Sequence, residues 1–258
     1  MTAPQGLLLG VIQGMTEFLP VSSKGHLALA HMTLGLQNEL TFDVMLHLAT
    51  LTAILWFFRT TLQKLTIRQW LYLGVATIPV GLMGLLIEEY LDLWLRVPLF
   101  VMMGLLVTAA LNFFMQWRLQ IADGMEALPT EVFKSDKLKL LAVGIAQAAA
   151  LFPGVSRSGT TLAAGLAVGL SKQAAFEWSF LLAIPAILAA SLHQGWQVYS
   201  SSEVFPPLLP LTFGMIGAFT VGLLSLKLLK RIMQKDEFWI FGLYCLLLAG
   251  IVYWVGVR

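Results

Sequence analysis

The chain has 258 residues, of which 58% are hydrophobic and only 12% are charged, and its mean hydropathy is +0.81. A soluble globular domain carries about 25% charged residues, so this composition excludes that class and indicates a polytopic membrane protein. A net charge of +2, with the basic residues in short loops, argues against a nucleic-acid partner. The single cysteine, Cys245, excludes a disulfide framework and a cysteine-based metal site.

The first half of the chain begins with two apolar runs that are each too short to span a bilayer. The run 5–19 stops at Pro20, and after the polar turn 21–26 a second run covers 27–36. Because a transmembrane helix needs about 20 apolar residues, we predict a re-entrant helical hairpin here. Three predicted membrane spans follow the hairpin, at 42–58, 70–87 and 97–117.

The second half repeats this order after a polar linker, 118–137. A short apolar run, 138–152, breaks at Pro153-Gly154, and after a polar turn that contains Arg157 a second short run covers 160–170. The same length argument predicts a second re-entrant hairpin. Three further predicted spans follow it, at 174–194, 207–226 and 238–257.

A constant offset of 134 positions relates the two halves. It pairs identical residues in and around the hairpins: Gln13 with Gln147, Phe18 with Phe152, Ser22 with Ser156, and Gly25 with Gly159. Each half holds one hairpin and three spans, so the second half enters the membrane inverted. We therefore predict an all-α polytopic membrane protein, with six transmembrane helices plus two re-entrant helical hairpins arranged as an inverted repeat. Residues 1–258 form a single integral membrane domain, in which the cytoplasmic linker 118–137 joins repeat halves 1–117 and 138–258.

Loop charges predict the orientation of the two halves. The 59–69 loop has three basic residues and no acid, and the 227–237 loop has four basic residues against two acids. The positive-inside rule places both loops in the cytoplasm. Counting spans from these loops places the linker inside and both termini outside. The halves are then antiparallel, as the repeat requires.

The first hairpin carries residue types that could support catalysis. Gln13 and Glu17 are four residues apart on one helix face, where a carboxylate beside an amide could hold a divalent cation or a water. Ser23 could act as a nucleophile and His26 as a general base or acid, with Ser22 in the same turn. Alternatively, Glu17 is a solvated residue at the membrane edge. The remaining histidines are expected to be packed, hydrogen-bonded groups: His31, His47 and His193.

The second hairpin contains Gly-Val-Ser-Arg-Ser-Gly-Thr-Thr from Gly154 to Thr161. Glycines allow backbone N–H groups to turn inward, and the helix that follows presents its positive end to an anion. Arg157 adds a planar group suited to phosphate, and without a partner it would cost about 3 kcal/mol or more at the bilayer centre. A nucleotide P-loop is unsupported, because Thr160 stands where lysine is required and no strand precedes it. The structural alternative is a polar tip that packs the halves together.

Two motifs resemble the signatures of the bacterial undecaprenyl-diphosphate phosphatases, the bacitracin-resistance family: Gln13-Gly-Met-Thr-Glu-Phe-Leu-Pro-Val-Ser-Ser-Lys-Gly-His26 and Pro153-Gly-Val-Ser-Arg-Ser-Gly-Thr-Thr161. The stretch 177–185 is similar to that family too, and the resemblance covers essentially the whole chain. It implies hydrolysis of undecaprenyl diphosphate to the monophosphate, which recycles the lipid carrier for peptidoglycan synthesis and confers bacitracin resistance. It also implies a divalent cation, Mg²⁺ or Ca²⁺, and a multi-pass location in the bacterial inner membrane with the active site facing the periplasm. The implied partners are the isoprenoid diphosphate lipid and the bilayer.

Matched by motif position, the resemblance assigns catalytic roles to Glu17, Ser23, His26 and Arg157, and makes Glu17 the metal ligand. It assigns substrate contacts to Gln13, Ser22, Ser156, Ser158, Gly159, Thr160 and Thr161. Two positions depart from the family pattern. Gln13 replaces a glutamate that often begins the first motif, which weakens a metal site built on two carboxylates. Lys24 stands where a small hydroxyl residue is expected, and it either contacts phosphate or extends to the membrane interface.

The nucleophile, the class of function and the oligomeric state stay open at the level of sequence. Either Ser23 attacks phosphorus with help from His26, or His26 activates a water. Inverted repeats with midplane hairpins also fit a transporter that flips the lipid monophosphate, and fold alone does not establish function. A scaffold in a cell-wall complex would leave the intramembrane Arg157 unexplained. A homodimer is an open alternative to a monomer.

Overall fold

The structure, a computed structural model, describes residues 1–36, 40–121, 137–201 and 205–256, and within these ranges every regular element is helical. A 3-10 turn at Ala148–Leu151 follows α7 directly. The α-helices are α1 Ala3–Thr16, α2 Ser23–Leu34, α3 Leu40–Phe57, α4 Arg59–Leu62, α5 Ile67–Arg96, α6 Pro98–Ile121, α7 Lys137–Gln147, α8 Arg157–Ala167, α9 Lys172–Ser201, α10 Leu208–Lys235 and α11 Trp239–Gly256.

Five helices are long and apolar enough to cross a membrane by length and composition, namely α3, α5, α6, α9 and α10. Apart from residues 58, 97 and 207, they contain the first five predicted spans. The sixth predicted span contains the shorter apolar helix α11, which has 18 residues. The chain is a multi-pass membrane protein.

Several helices continue past the predicted ends of their apolar runs. The predicted 59–69 loop contains the short helix α4, and α10 extends through most of the predicted 227–237 loop to Lys235. Outside the hydrocarbon a charged side chain is solvated while the backbone hydrogen bonds continue, so the apolar run does not fix the helix end. The two ends of the predicted linker are helical, since 118–121 complete α6 and Lys137 starts α7. The rest of that linker lies outside the described residues.

Two pairs of short helices occupy the predicted hairpins. α1 and α2 have 14 and 12 residues, and α7 and α8 have 11 each. Ser22 and Ser156 cap α2 and α8, because each side chain accepts a hydrogen bond from the backbone N–H three residues later. Each helix therefore starts directly after its serine. The residues expected in polar turns, 23–26 and 157–159, lie in the first helical turns instead.

Glycines bring the first helix of each hairpin close to a long helix. A Cβ atom added to Gly10 of α1 would lie 2.0 Å from the carbonyl oxygen of Gly214 in α10. In the second half, a Cβ atom on Gly144 of α7 would lie 2.2 Å from the carbonyl oxygen of Ala76 in α5. Gly10 and Gly144 are separated by the repeat offset of 134. At equivalent positions of the two halves, a glycine therefore allows the backbones of two helices to approach closely.

The tip of the second hairpin is held by α6. A Cβ atom on Gly104 would lie 1.8 Å from the carbonyl oxygen of Pro153, and Gly154 has a φ of +83°, which favours glycine. The hydroxyl of Thr108 donates to the carbonyl of Gly154 at 2.8 Å and accepts from the N–H of Ser156 at 2.9 Å. These contacts fix the chain where α8 begins.

Candidate active site

An ion pair joins the two hairpins. Glu17 directly follows α1, Arg157 is the first residue of α8, and Arg157 Nη2 lies 3.1 Å from Glu17 Oε1. The Glu17 side chain is only 6% exposed and the Arg157 side chain only 15%. Arg157 also donates to the carbonyl of Ser179 at 3.5 Å and lies 5.8 Å from the ring centre of Phe180 in α9. The arginine predicted to be costly in a membrane is therefore paired.

Three further side chains converge on the second oxygen of the Glu17 carboxylate. Ser23 Oγ donates to Glu17 Oε2 at 2.8 Å, Gln13 Nε2 donates to it at 3.3 Å, and His47 Nε2 lies 3.8 Å away. Gln13 is fully buried, and its amide oxygen has no hydrogen-bond partner among the described residues. Of the residues assigned by the motifs, Gln13, Glu17, Ser23 and Arg157 therefore form one cluster.

His47 joins this cluster although the sequence marked it only as a packed group. Its Nδ1 atom contacts the carbonyl of Asp43 at 2.7 Å, one helical turn earlier in α3. Its Nε2 atom faces Glu17. The residue lies in an apolar span, 30 positions after Glu17, without a motif around it. The sequence could only mark His47 as an isolated histidine within the membrane, and this did not indicate which residue it contacts.

The serines of the second hairpin mainly build and dock its tip. Ser156 Oγ accepts from the N–H of Gly159 at 3.1 Å and lies 3.1 Å from Ser158 Oγ. Ser158 Oγ donates to the carbonyl of Leu19 in the first hairpin at 3.2 Å. Ser22 is buried, with a φ of +73° that is unusual for a residue other than glycine. These residues place the two hairpin tips against each other.

Gly159, Thr160 and Thr161 lie in the first turns of α8 and have different neighbours. A Cβ atom on Gly159 would lie 3.4 Å from Cβ of Pro20, so α8 begins close to the first hairpin. Thr160 Oγ1 donates to the carbonyl of Ser156 at 2.8 Å, within α8. Thr161 Oγ1 lies 2.6 Å from Ser179 Oγ, which links α8 to α9. Both threonines are buried, and their hydroxyls already have partners in this structure.

His26 lies in the first turn of α2, and among the described residues its ring nitrogens contact Ser22 and Tyr244 rather than Glu17 or Ser23. Its Nδ1 atom contacts the carbonyl of Ser22 at 2.7 Å, and its Nε2 atom lies 2.6 Å from the hydroxyl of Tyr244 in α11. The sequence motifs gave no indication of Tyr244. Lys24, the second departure from the family pattern, is exposed on the same turn.

The remaining histidines lie in other pairs. His31 Nε2 is 3.4 Å from Asp43 Oδ1, and His193 Nε2 is 2.8 Å from Glu88 Oε1. No group of three histidine, cysteine or acidic side chains able to hold a metal occurs in the part of the chain that the structure describes. The protein therefore offers one carboxylate, one free amide oxygen and hydroxyl groups at the cluster.

This arrangement places a guanidinium and a serine hydroxyl on the same carboxylate. The arginine fork suits two phosphate oxygens, and the N-terminal end of α8 adds its partial positive charge. The serine hydroxyl donates to a carboxylate, which is the geometry that can activate it. Apolar surroundings strengthen each of these electrostatic interactions compared with water.

Comparisons with known proteins agree with this chemistry. A family model described as bacitracin resistance protein BacA matches residues 6–251. A protein from Methanobrevibacter smithii is 35% identical over 98% of this chain and 96% of its own, and one from Desulfosudis oleivorans is 36% identical over 98% of both. One from Thermotoga petrophila is 36% identical over 97% of this chain and 99% of its own. All three relatives are named undecaprenyl-diphosphatase. The chain is therefore a phosphatase and belongs to the BacA family of bacitracin resistance proteins.

Proposed function

We propose that this chain hydrolyses undecaprenyl diphosphate to undecaprenyl monophosphate and inorganic phosphate. The ion pair between Glu17 and Arg157 at 3.1 Å carries the proposal, because it brings the two motifs together with Ser23 at 2.8 Å from the same carboxylate. The names of the relatives support the choice of substrate. The product would re-enter peptidoglycan synthesis as the lipid carrier, and its recycling would confer bacitracin resistance.

The proposed architecture has six transmembrane helices and two re-entrant hairpins in an inverted repeat. The hairpin helices, at 14 residues or fewer, are each about 21 Å long or less, against about 30 Å of hydrocarbon. In the repeat, α1 is equivalent to α7, α3 to α9 and α5 to α10. The contact of α1 with α10 is therefore equivalent to that of α7 with α5, and the contact of α3 with α10 to that of α9 with α5. The contacts of α3 with α9 and of α6 with α11 correspond to themselves. This pairing supports the repeat.

The proposed location is the inner membrane of a bacterium, with the site open to the periplasm. The basic residues around α4 and at the end of α10 support a cytoplasmic position for those segments. The lipid tail would stay in the bilayer between helices. The diphosphate would enter the polar centre where the hairpin tips meet.

Arg157 would bind the terminal phosphate. In the substrate-free protein its Nη2 atom is held by Glu17, so an incoming phosphate would share or take over this contact. Developing negative charge on the phosphate oxygens would be stabilised by the guanidinium and by the start of α8. Positioning and electrostatic stabilisation supply most of the catalysis of phosphoryl transfer.

A divalent cation fits the first hairpin. Gln13 Oε1 is a buried oxygen without a hydrogen-bond partner among the described residues, and the Nε2 atom of the same amide lies 3.3 Å from the Glu17 carboxylate. Mg²⁺ is commonly held by one or two carboxylates together with substrate phosphates, so one carboxylate is sufficient. Glu17 and Gln13 would hold the ion, which when bound would neutralise charge on the diphosphate.

Two routes for the chemical step differ in the nucleophile. In the first, Ser23 Oγ forms a bond to the terminal phosphorus while His26 accepts the hydroxyl proton and the bond to undecaprenyl monophosphate breaks, and water later hydrolyses the phosphoserine. In the second, water attacks directly, activated by His26. The 2.8 Å contact from Ser23 to Glu17 favours the first route. A phosphate burst at near-stoichiometric enzyme would support it, and full activity of Ser23→Ala without a burst would refute it.

The experiment that tests the function measures phosphate release by the purified protein in detergent from undecaprenyl diphosphate, with and without Mg²⁺. We expect multiple-turnover release that is abolished in Ser23→Ala or Arg157→Ala, while a matched exposed variant, Arg231→Ala, retains it. A protein that only flips the lipid would release none. Transport of a labelled lipid monophosphate by a phosphatase-inactive wild type would therefore replace the proposal.

A further inference from the structure

Both ring nitrogens of His26 have partners that define their roles. The Nδ1 atom lies 2.7 Å from the carbonyl oxygen of Ser22, and the Nε2 atom lies 2.6 Å from the hydroxyl oxygen of Tyr244. A carbonyl oxygen only accepts, so Nδ1 carries the hydrogen. In a neutral imidazole Nε2 is then the acceptor, and the hydroxyl of Tyr244 donates to it. The two partners together select one tautomer.

Tyr244 also fixes the orientation of the His26 ring. The two rings are nearly parallel, with an interplanar angle of 9° and centroids 5.6 Å apart. The tyrosine is contributed by α11, 218 positions after the histidine, so it is independent of the local turn that holds Nδ1. Contacts at both edges of the imidazole leave it little freedom to rotate.

We infer that Tyr244 is a positioning residue of the active site, which acts through His26. This inference rests on the proposed function, in which His26 exchanges a proton during phosphate transfer. The hydroxyl keeps Nδ1 protonated and reserves Nε2 for proton exchange. Because a phenol hydrogen rotates about the C–O bond, Tyr244 can release Nε2 while its ring stays in place. Without the hydroxyl, only a fraction of the His26 side chains would have the tautomer and ring orientation needed for proton exchange.

The substitution Tyr244→Phe tests this role, since it keeps the ring and removes the hydroxyl. We expect kcat to fall about tenfold, less than the 10²–10⁴-fold supplied by a general acid or base itself. We expect KM to change by about twofold or less, because Tyr244 is inferred to act through His26 and not by binding the substrate. Tyr253→Phe is the matched control on the exposed surface of α11, and it should behave as the wild type. Thermal unfolding in detergent would verify that each variant is folded.

The combination with His26→Gln separates a positioning role from an independent one. If Tyr244 acts through His26, the double variant should be no slower than His26→Gln alone. Multiplied losses, or wild-type kcat in a folded Tyr244→Phe variant, would overturn the inference while leaving the phosphatase proposal intact. Full activity of His26→Gln would remove the basis of the inference. Absence of phosphate release by the wild type would instead contradict the proposed function itself.

Discussion

At the scale of single residues, the site depends on Glu17 having several partners. Arg157 contacts one carboxylate oxygen, and Ser23, Gln13 and His47 face the other. A buried charge without partners would cost several kcal/mol, so these partners offset the cost of burying the Glu17 carboxylate. It also prepares the site, because a phosphate that binds Arg157 leaves Glu17 with its remaining contacts.

We expect His47→Gln to lower kcat/KM about three- to tenfold, which corresponds to the loss of one contact of about 1 kcal/mol. The 3.8 Å distance to Glu17 makes it a weaker contact than that of Arg157. Steady-state phosphate release would measure the loss. His193→Gln, which breaks a contact with Glu88 elsewhere, should leave the rate unchanged. Equal rates for His47→Gln and the wild type would show that His47 only fills space.

The sequence identified some of these residues and missed others for a physical reason. Glu17 and Arg157 were predictable because each is an ionisable residue at a break between short apolar runs. His47 and Tyr244 lie inside apolar helices, where no local pattern distinguishes a residue facing the site from one facing another helix. Their roles depend on how distant helices pack, which a residue pattern along one helix does not specify.

At the scale of elements, the position of Arg157 depends on how α8 starts. The Thr108 hydroxyl bridges the carbonyl of Gly154 and the N–H of Ser156, immediately before the arginine. The Ser156 cap then sets the first turn of the helix. Both groups bridged by Thr108 are backbone atoms, so its removal would leave them without this buried partner.

Thr108→Val preserves the shape of the side chain and removes both hydrogen bonds. We expect the free energy of unfolding to fall by about 1–3 kcal/mol, the usual cost of leaving a buried polar group without a partner. Phosphate release should fall as well, because Arg157 would no longer be held in register. Thr212→Val, which removes a hydroxyl bonded within the exposed face of α10, is the control. A stable and fully active Thr108→Val variant would contradict the role given to this bridge.

The sequence predicted which segments are helical better than it predicted where each helix begins and ends. The long apolar runs predicted six spans, and a helix lies at each of them, because every backbone polar group in a bilayer must be bonded internally. The ends differed where charged residues continue a helix into water, as in α10, and where a serine cap starts one earlier, as in α2. Caps depend on one side chain and its backbone angles, which composition does not reveal.

At the scale of the whole molecule, the two halves meet so that each contributes one side of the site. Glu17 and Ser23 come from the first hairpin and Arg157 from the second. The proposed inverted arrangement would account for the meeting of the two polar tips. A single hairpin would leave either the carboxylate or the guanidinium without its partner.

Labelling of introduced cysteines tests the inverted arrangement. Lys64→Cys and Lys235→Cys, in a Cys245→Ala background, should react with an impermeant thiol reagent only after the cells are opened, because the positive-inside rule places both basic segments in the cytoplasm. Leu93→Cys and Tyr199→Cys should react in intact cells, because both positions are exposed near the C-terminal ends of α5 and α9. Labelling of Lys64→Cys and Lys235→Cys from opposite sides would rule out the inverted repeat.

The most direct measurement is a double-mutant cycle on phosphate release, with Glu17→Gln, Arg157→Gln and the double variant, each verified as folded. If the two residues form one site, each single substitution should lower kcat/KM by about 100-fold or more, and the double variant should be little worse than the poorer single one. Multiplied losses would mean that the residues act independently. Wild-type activity in a folded Arg157→Gln variant would contradict the account of phosphate binding.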